Sequence, residues 1–183
     1  MKTATSTLYL YDPDFESNAK AFQAEEGGDC QIREVKDFDT LAAALNGYSG
    51  VRLLVFDTHG EPGKVALADR SSLDGFDFRF LNLLPKDLLV TNGRALFLGC
   101  NIGEGKEGDT FLDDFGLAAF RGKGGIAGAS TVVNVSWSLG PFASAGTWMD
   151  PTSLFSARLK VVRFDEAGIR TAAKTVDRWG DET

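Results

Sequence analysis

Along this chain, short apolar runs alternate with stretches of helical period. The segment TLYLYD reads as a first strand, and residues 17–26 as a helix, with Ser17 as N-cap and Gly27-Gly28 as its stop. Residues 30–36, CQIREVK, alternate apolar with polar and predict a strand with one wet face. Asp39 or Thr40 caps a helix over TLAAALNGY. In VRLLVFDTHG, residues 51–60, five of the first six residues are apolar, which predicts a central strand buried on both faces. Gly60, Pro62 and Gly63 end it, and KVALAD reads as the return strand of a hairpin. A helix is expected around LNLLPKDLL, with Pro85 inside its span.

A second central strand is RALFLGC, residues 94–100, followed by the glycine-rich NIGEGKEG. A helix is predicted from Thr110, with Asp113 completing a capping box and Phe111, Leu112, Phe115 and Ala119 as its apolar stripe. IAGAST and LKVVRF read as further strands, and AGIRTAAKTVDRW as a closing helix, giving a C-terminal strand and helix over 159–180.

Strands alternating with helices predict an α/β fold: a three-layer α/β/α sandwich around a mostly parallel central sheet. The 183 residues carry no internal repeat and no low-complexity linker, so one domain over 1–183 is expected. In such sheets functional groups collect beyond the carboxyl ends of the strands. The chain's one histidine, His59, sits at one such end, and one of its two cysteines, Cys100, at another.

A hydrophobic fraction of 43% is enough for a sizeable core. The net charge of -7 repels phosphates and argues against a nucleic-acid partner. No apolar run is long enough to span a bilayer, and the N-terminus shows no signal-peptide pattern. No membrane partner and a cytoplasmic location are therefore expected, with export by a route lacking a cleaved signal left open. Two cysteines make no disulfide framework, and one histidine supplies a Cys/His zinc site poorly. Neither a metal site nor a cofactor is expected.

A thiolate nucleophile needs a fixed exposed position, a lowered pKa and a group that handles the leaving-group proton. Cys100 ends a buried strand before a glycine-rich turn and a helix, where backbone N–H groups favour negative charge. His59, from the other strand end, supplies the acid-base group. Gly60 removes a side chain beside it and lets a backbone N–H approach a substrate carbonyl.

At these residues the chain resembles the caspase-type (clan CD) cysteine peptidases. VRLLVFDTHGEPGKVAL is similar to their hydrophobic strand ending in His-Gly, and RALFLGCNIGEG to their strand ending in Gly-Cys or Ala-Cys, in the same order. THGEPG, LGCNIGEG and GAST look most like a bacterial caspase-like domain of poorly defined function found in large surface and adhesin-type proteins. The resemblance covers residues 50–132; the flanks match only in element order. It implies a caspase-like fold and a cysteine endopeptidase acting on a protein or peptide. His59 and Cys100 would form the dyad, and the N–H groups of Gly60 and Cys100 the oxyanion site. Ser130, Thr131 and Trp137 would line the substrate groove. The caspase pentapeptide around the cysteine is absent, so specificity for aspartate is not implied.

Other readings stand beside this one. A catalytically inactive module that binds a partner or organises an assembly would keep the same fold, and a different cysteine hydrolase or acyltransferase would use the same nucleophile. Asp57 reads as a polar residue flanking the dyad rather than a phosphoacceptor. The glycines at 99, 103, 105 and 108 do not follow the phosphate-loop pattern. Glu104, Glu107 and Asp109 read as a solvated loop before they read as a pocket for a basic side chain, and Cys30 as a structural thiol.

Overall fold

The computed structural model describes residues 1–131 and 158–177. In chain order the strands are β1 (Thr3–Ala4), β2 (Thr7–Tyr11), β3 (Cys30–Glu34), β4 (Tyr48–Ser49), β5 (Val51–Asp57), β6 (His59–Glu61), β7 (Lys64–Ala66), β8 (Ser72–Asp74), β9 (Leu89–Phe97), β10 (Gly125–Ser130), β11 (Arg158–Phe164) and β12 (Arg170–Asp177). The helices are α1 (Glu16–Glu26), α2 (Phe38–Gly47), α3 (Gly75–Phe80) and α4 (Gly105–Ala119), with a 3-10 turn at Pro13–Phe15.

Seven strands form the main sheet in the order β12-β11-β10-β9-β5-β2-β3. The five from β10 to β3 run parallel. β11 and β12 add antiparallel at one edge. The chain is therefore α/β with a mostly parallel central sheet flanked by helices.

The strands' alternation splits the core in two. Leu8, Leu10, Leu54, Phe56, Ala95 and Phe97 face one side, where α2, α3 and α4 deliver Leu41, Phe78, Phe111, Leu112 and Phe115. Tyr9, Leu53, Val55, Leu96 and Leu98 face the other, where α1 delivers Ala19 and Phe22. Near-continuous apolar runs such as LLVF are what a strand covered on both faces requires. Phe97 is fully buried, stacks on Phe56 at 4.7 Å and meets Phe111 and Phe115 edge-on at 4.8 and 4.9 Å.

The structure corrects several expectations. AGIRTAAKTVDRW is not a helix; residues 170–177 form β12, antiparallel to β11 with a register shift between Arg163 and Phe164. The turn before it holds Gly168 at φ 75°, and Asp165 accepts from the N–H groups of Ala167 and Ile169. That turn closes a hairpin, and the sheet edge overrides the segment's helical propensity. LNLLPKDLL forms no helix either. The helix lies earlier, at α3, where Asp74 and Asp77 form a capping box, and β9 begins at Leu89. Asp37, not Asp39 or Thr40, caps α2, although Thr40 closes its capping box. Before α1 the side-chain cap is Asp12, on the 3-10 turn, rather than Ser17. α4 begins five residues before Thr110, and its expected stripe Phe111, Leu112, Phe115 and Ala119 is buried.

Truncating the ring that joins α4 to the sheet should be expensive. Phe97→Ala is expected to lower unfolding stability by about 3–5 kcal/mol, read by chemical denaturation. A loss below about 1 kcal/mol would show that the aromatic cluster does not anchor the sheet.

Candidate functional site

The parallel register fixes which loops meet. Tyr11 pairs with Asp57 and Phe56 with Phe97, so β2, β5 and β9 end side by side at one edge. β10 ends beside them, with Ala129 paired to Phe97. Adjacent strands lie about 4.8 Å apart. Asp12, His59 and Cys100 thus follow three successive strand ends, and Ser130 is the last residue of the fourth. β2 runs through α1 to β3 on one side of it, whereas the chain returns through α2 to β5 on the other. The strand order reverses between β2 and β5, which is where open α/β sheets place their ligands.

Glycines bring the β5 and β9 loops into backbone contact. A Cβ on Gly99 would lie 2.8 Å from the carbonyl oxygen of His59 and 2.9 Å from that of Thr58. A Cβ on Gly60 would lie 2.9 Å from the carbonyl oxygen of Cys100. No larger residue fits either position without moving the backbone opposite. Pro62 and Gly63, the latter at φ 72°, then turn the chain into the β6–β7 hairpin. The Gly63 N–H donates to the Ile102 carbonyl at 3.0 Å and ties that hairpin to the Cys100 loop.

The Cys100 loop is itself bonded at both ends. Gly103 N–H donates to the Ser130 carbonyl at 2.7 Å, and Glu104 N–H to the Asn101 carbonyl at 2.8 Å. Asn101 takes a left-handed conformation, φ 56°. The early start of α4 at Gly105 brings its N-terminus closer to Cys100 than the sequence pattern suggested. Cys100 is partly exposed, and Cys30 is buried.

His59 is half exposed, with 49% of its side-chain surface open. Its ring packs against Phe15, centroids 5.0 Å apart, and its Nε2 lies 3.1 Å from Asp14 Oδ2 and 3.9 Å from Asp12 Oδ1. Both aspartates come from the β2–α1 connection, a contribution the sequence reading missed. The legible signal was the DPDF segment, an Asx cap before a proline that starts a turn. Asp12 is buried; its Oδ1 accepts from Asp14 N–H at 3.0 Å.

Asp57 flanks this group from beneath α1. Its carboxylate accepts from Tyr9 Oη at 2.7 Å and Asn18 Nδ2 at 3.3 Å. Burial pushes its pKa up to about 6; the Tyr9 and Asn18 hydrogen bonds oppose the shift, nearby Asp12 adds to it, and His59 works against it.

Of the other sequence-predicted groups, Ser130 is fully buried at the end of β10, and Thr131 bonds the Arg158 carbonyl through its N–H at 3.0 Å. Trp137 lies outside the described residues. Asp109 is committed to Arg170 at 2.8 Å and Lys160 at 3.3 Å, so it is not an open acidic pocket. No helix among the described residues is long and apolar enough to cross a membrane. No protein-family model, curated protein or solved structure matches the chain.

Two measurements follow from this electrostatics. Burial first, then Glu26 and Asp29, push the Cys30 thiol up to about 12, so almost none of it is thiolate near neutrality. Iodoacetamide at pH 7.5 should modify Cys100 at least ~100-fold faster than Cys30, followed by peptide mass spectrometry; equal rates in the folded protein would contradict the assignment. For Asp57, the folded-state pKa lies above the ordinary carboxylate value. The native state therefore holds the proton more tightly, and stability falls as pH rises from about 4 through about 6. Asp57→Asn removes that penalty. It should match wild type near pH 4 and be more stable at pH 7.5, by at most ~3 kcal/mol, in paired denaturant titrations. A variant equally destabilised at both pH values would show that the charge carries no penalty.

Proposed function

We propose that this chain is a cysteine endopeptidase of caspase-like type, with Cys100 as nucleophile and His59 as acid-base group. The observation that carries this reading is the adjacency of the β5 and β9 ends, with their loops in backbone contact through Gly60 and Gly99. The candidate nucleophile and the chain's one imidazole thereby share a single edge of the sheet.

In this reading, Cys100 Sγ attacks the scissile carbonyl carbon, and its proton passes to His59. Asp14 holds Nε2, which leaves Nδ1 as the working nitrogen. The carbonyl oxygen becomes an oxyanion and accepts from the N–H groups of Gly60 and Cys100. A tight hairpin turn makes Glu61 and Lys64 the bonded closing pair, so Gly60 and Val65 form the next, non-bonded pair. That alternation turns the Gly60 N–H away from β7 and supports its role. His59 then protonates the departing amine, and water hydrolyses the acyl-enzyme with the imidazole as base.

Turnover of a cleavable peptide library by wild type and His59→Ala, at equal folded concentration, tests this. The variant should lose about 10²–10⁴-fold in rate, and Cys100→Ala should lose turnover altogether. Unchanged turnover in His59→Ala would remove the dyad. Absence of cleavage in wild type, with no labelling of Cys100 by peptidyl electrophiles, would favour the non-catalytic binding module.

A further inference from the structure

We propose that Asp12, Asp14 and His59 form a binding site for a divalent transition-metal cation of the Zn²⁺ class. This goes beyond the peptidase reading and does not depend on it, because Cys100 is not among the ligands. One ligand atom from each residue lies within 4.8 Å of the other two. Ligand atoms about 2.0–2.2 Å from a tetrahedral zinc lie about 3.3–3.6 Å from one another. The two edges from His59 Nε2, 3.1 Å to Asp14 Oδ2 and 3.9 Å to Asp12 Oδ1, bracket that spacing. One imidazole with two carboxylates suits a borderline cation better than Mg²⁺ or Ca²⁺, which prefer oxygen alone.

The independent observation is Asp12. Only 2% of its side-chain surface is exposed, and its Oδ2 is buried with no hydrogen-bond partner. Its ion pair among the described residues is the long one to His59. Oδ1 accepts the Asp14 N–H that caps the 3-10 turn and is also the oxygen 3.9 Å from His59 Nε2, while Oδ2 is left without a partner; a serine would cap as well. A buried carboxylate with an idle oxygen is costly unless a cation meets it, and the second buried carboxylate nearby, Asp57, increases that cost. The group also lies where the strand order reverses, the place such sheets reserve for ligands. Pro13, φ-restricted, and the Phe15 ring against His59 fix the ligand-bearing turn before any ion arrives.

The test is isothermal titration of chelator-treated protein with Zn²⁺ alone, in wild type and in Cys100→Ser, with Mg²⁺ as comparison. One Zn²⁺ should bind per chain in both proteins, more tightly than Mg²⁺. Asp12→Asn keeps a cap acceptor and should weaken binding by more than the ~10–100-fold typical of outer-shell changes. His59→Ala should do the same. Should Asp12→Asn fail to fold by circular dichroism, the exposed Asp14→Asn is the substitute, with the same expected direction. Three results would overturn the site: no Zn²⁺ binding to wild type, binding unaffected by the aspartate variants, or binding lost in Cys100→Ser.

Discussion

Everything at the functional edge depends on the parallel registration of β2, β5 and β9. Because Tyr11 lies opposite Asp57 and Phe56 opposite Phe97, three connections leave the sheet side by side. The register is held from below by rings. Phe56 and Phe97 stack between the strands, and Phe78, Phe111 and Phe115 pack edge-on against them. A slip of one residue would turn these rings to the other face and separate the loops above them. Packing on one face of the sheet thus determines which loops meet at its end.

The loops themselves trade side chains for proximity. Gly60 and Gly99 let two backbones approach within the space a methyl group would occupy. The Gly63–Ile102 hydrogen bond then locks the hairpin onto the Cys100 loop. Around this frame the charges are arranged unequally. Asp12 and Asp57 are buried and Asp14 is open, with the half-exposed imidazole of His59 beside Asp12 and Asp14. His59 places Nε2 beside the aspartates, and the proposed peptidase mechanism would use Nδ1. The two proposals therefore compete for one ring: with Nε2 on a metal, Nδ1 carries the proton and cannot take one from Cys100, so the metal-bound form would be the inactive one.

The central strands and the two loop residues His59 and Cys100 were legible because a strand buried on both faces leaves a continuous apolar run that ends abruptly in glycine and polar residues. The stripe of α4 was legible because its period is helical over several turns. β12 was not, because the alanines and lysine of residues 170–177 favour a helix, and only the β11 edge makes a strand of them. α3 was missed because six residues carry too little periodicity, and its signal is the Asp74–Asp77 cap. The aspartates beside His59 were missed for a different reason. They come from the β2–α1 connection, far off in sequence, and only the strand order brings that connection to His59.

The central claim is that Cys100 and the Gly60 loop form one reaction site at adjacent strand ends. A crystal structure of the protein after reaction with a peptidyl aldehyde tests it most directly. The account predicts a hemithioacetal on Cys100 Sγ whose oxygen accepts from the Gly60 N–H, with His59 Nδ1 beside the adduct. An adduct on Cys30, or one on Cys100 whose oxygen and peptide point away from Gly60 and His59, would contradict it.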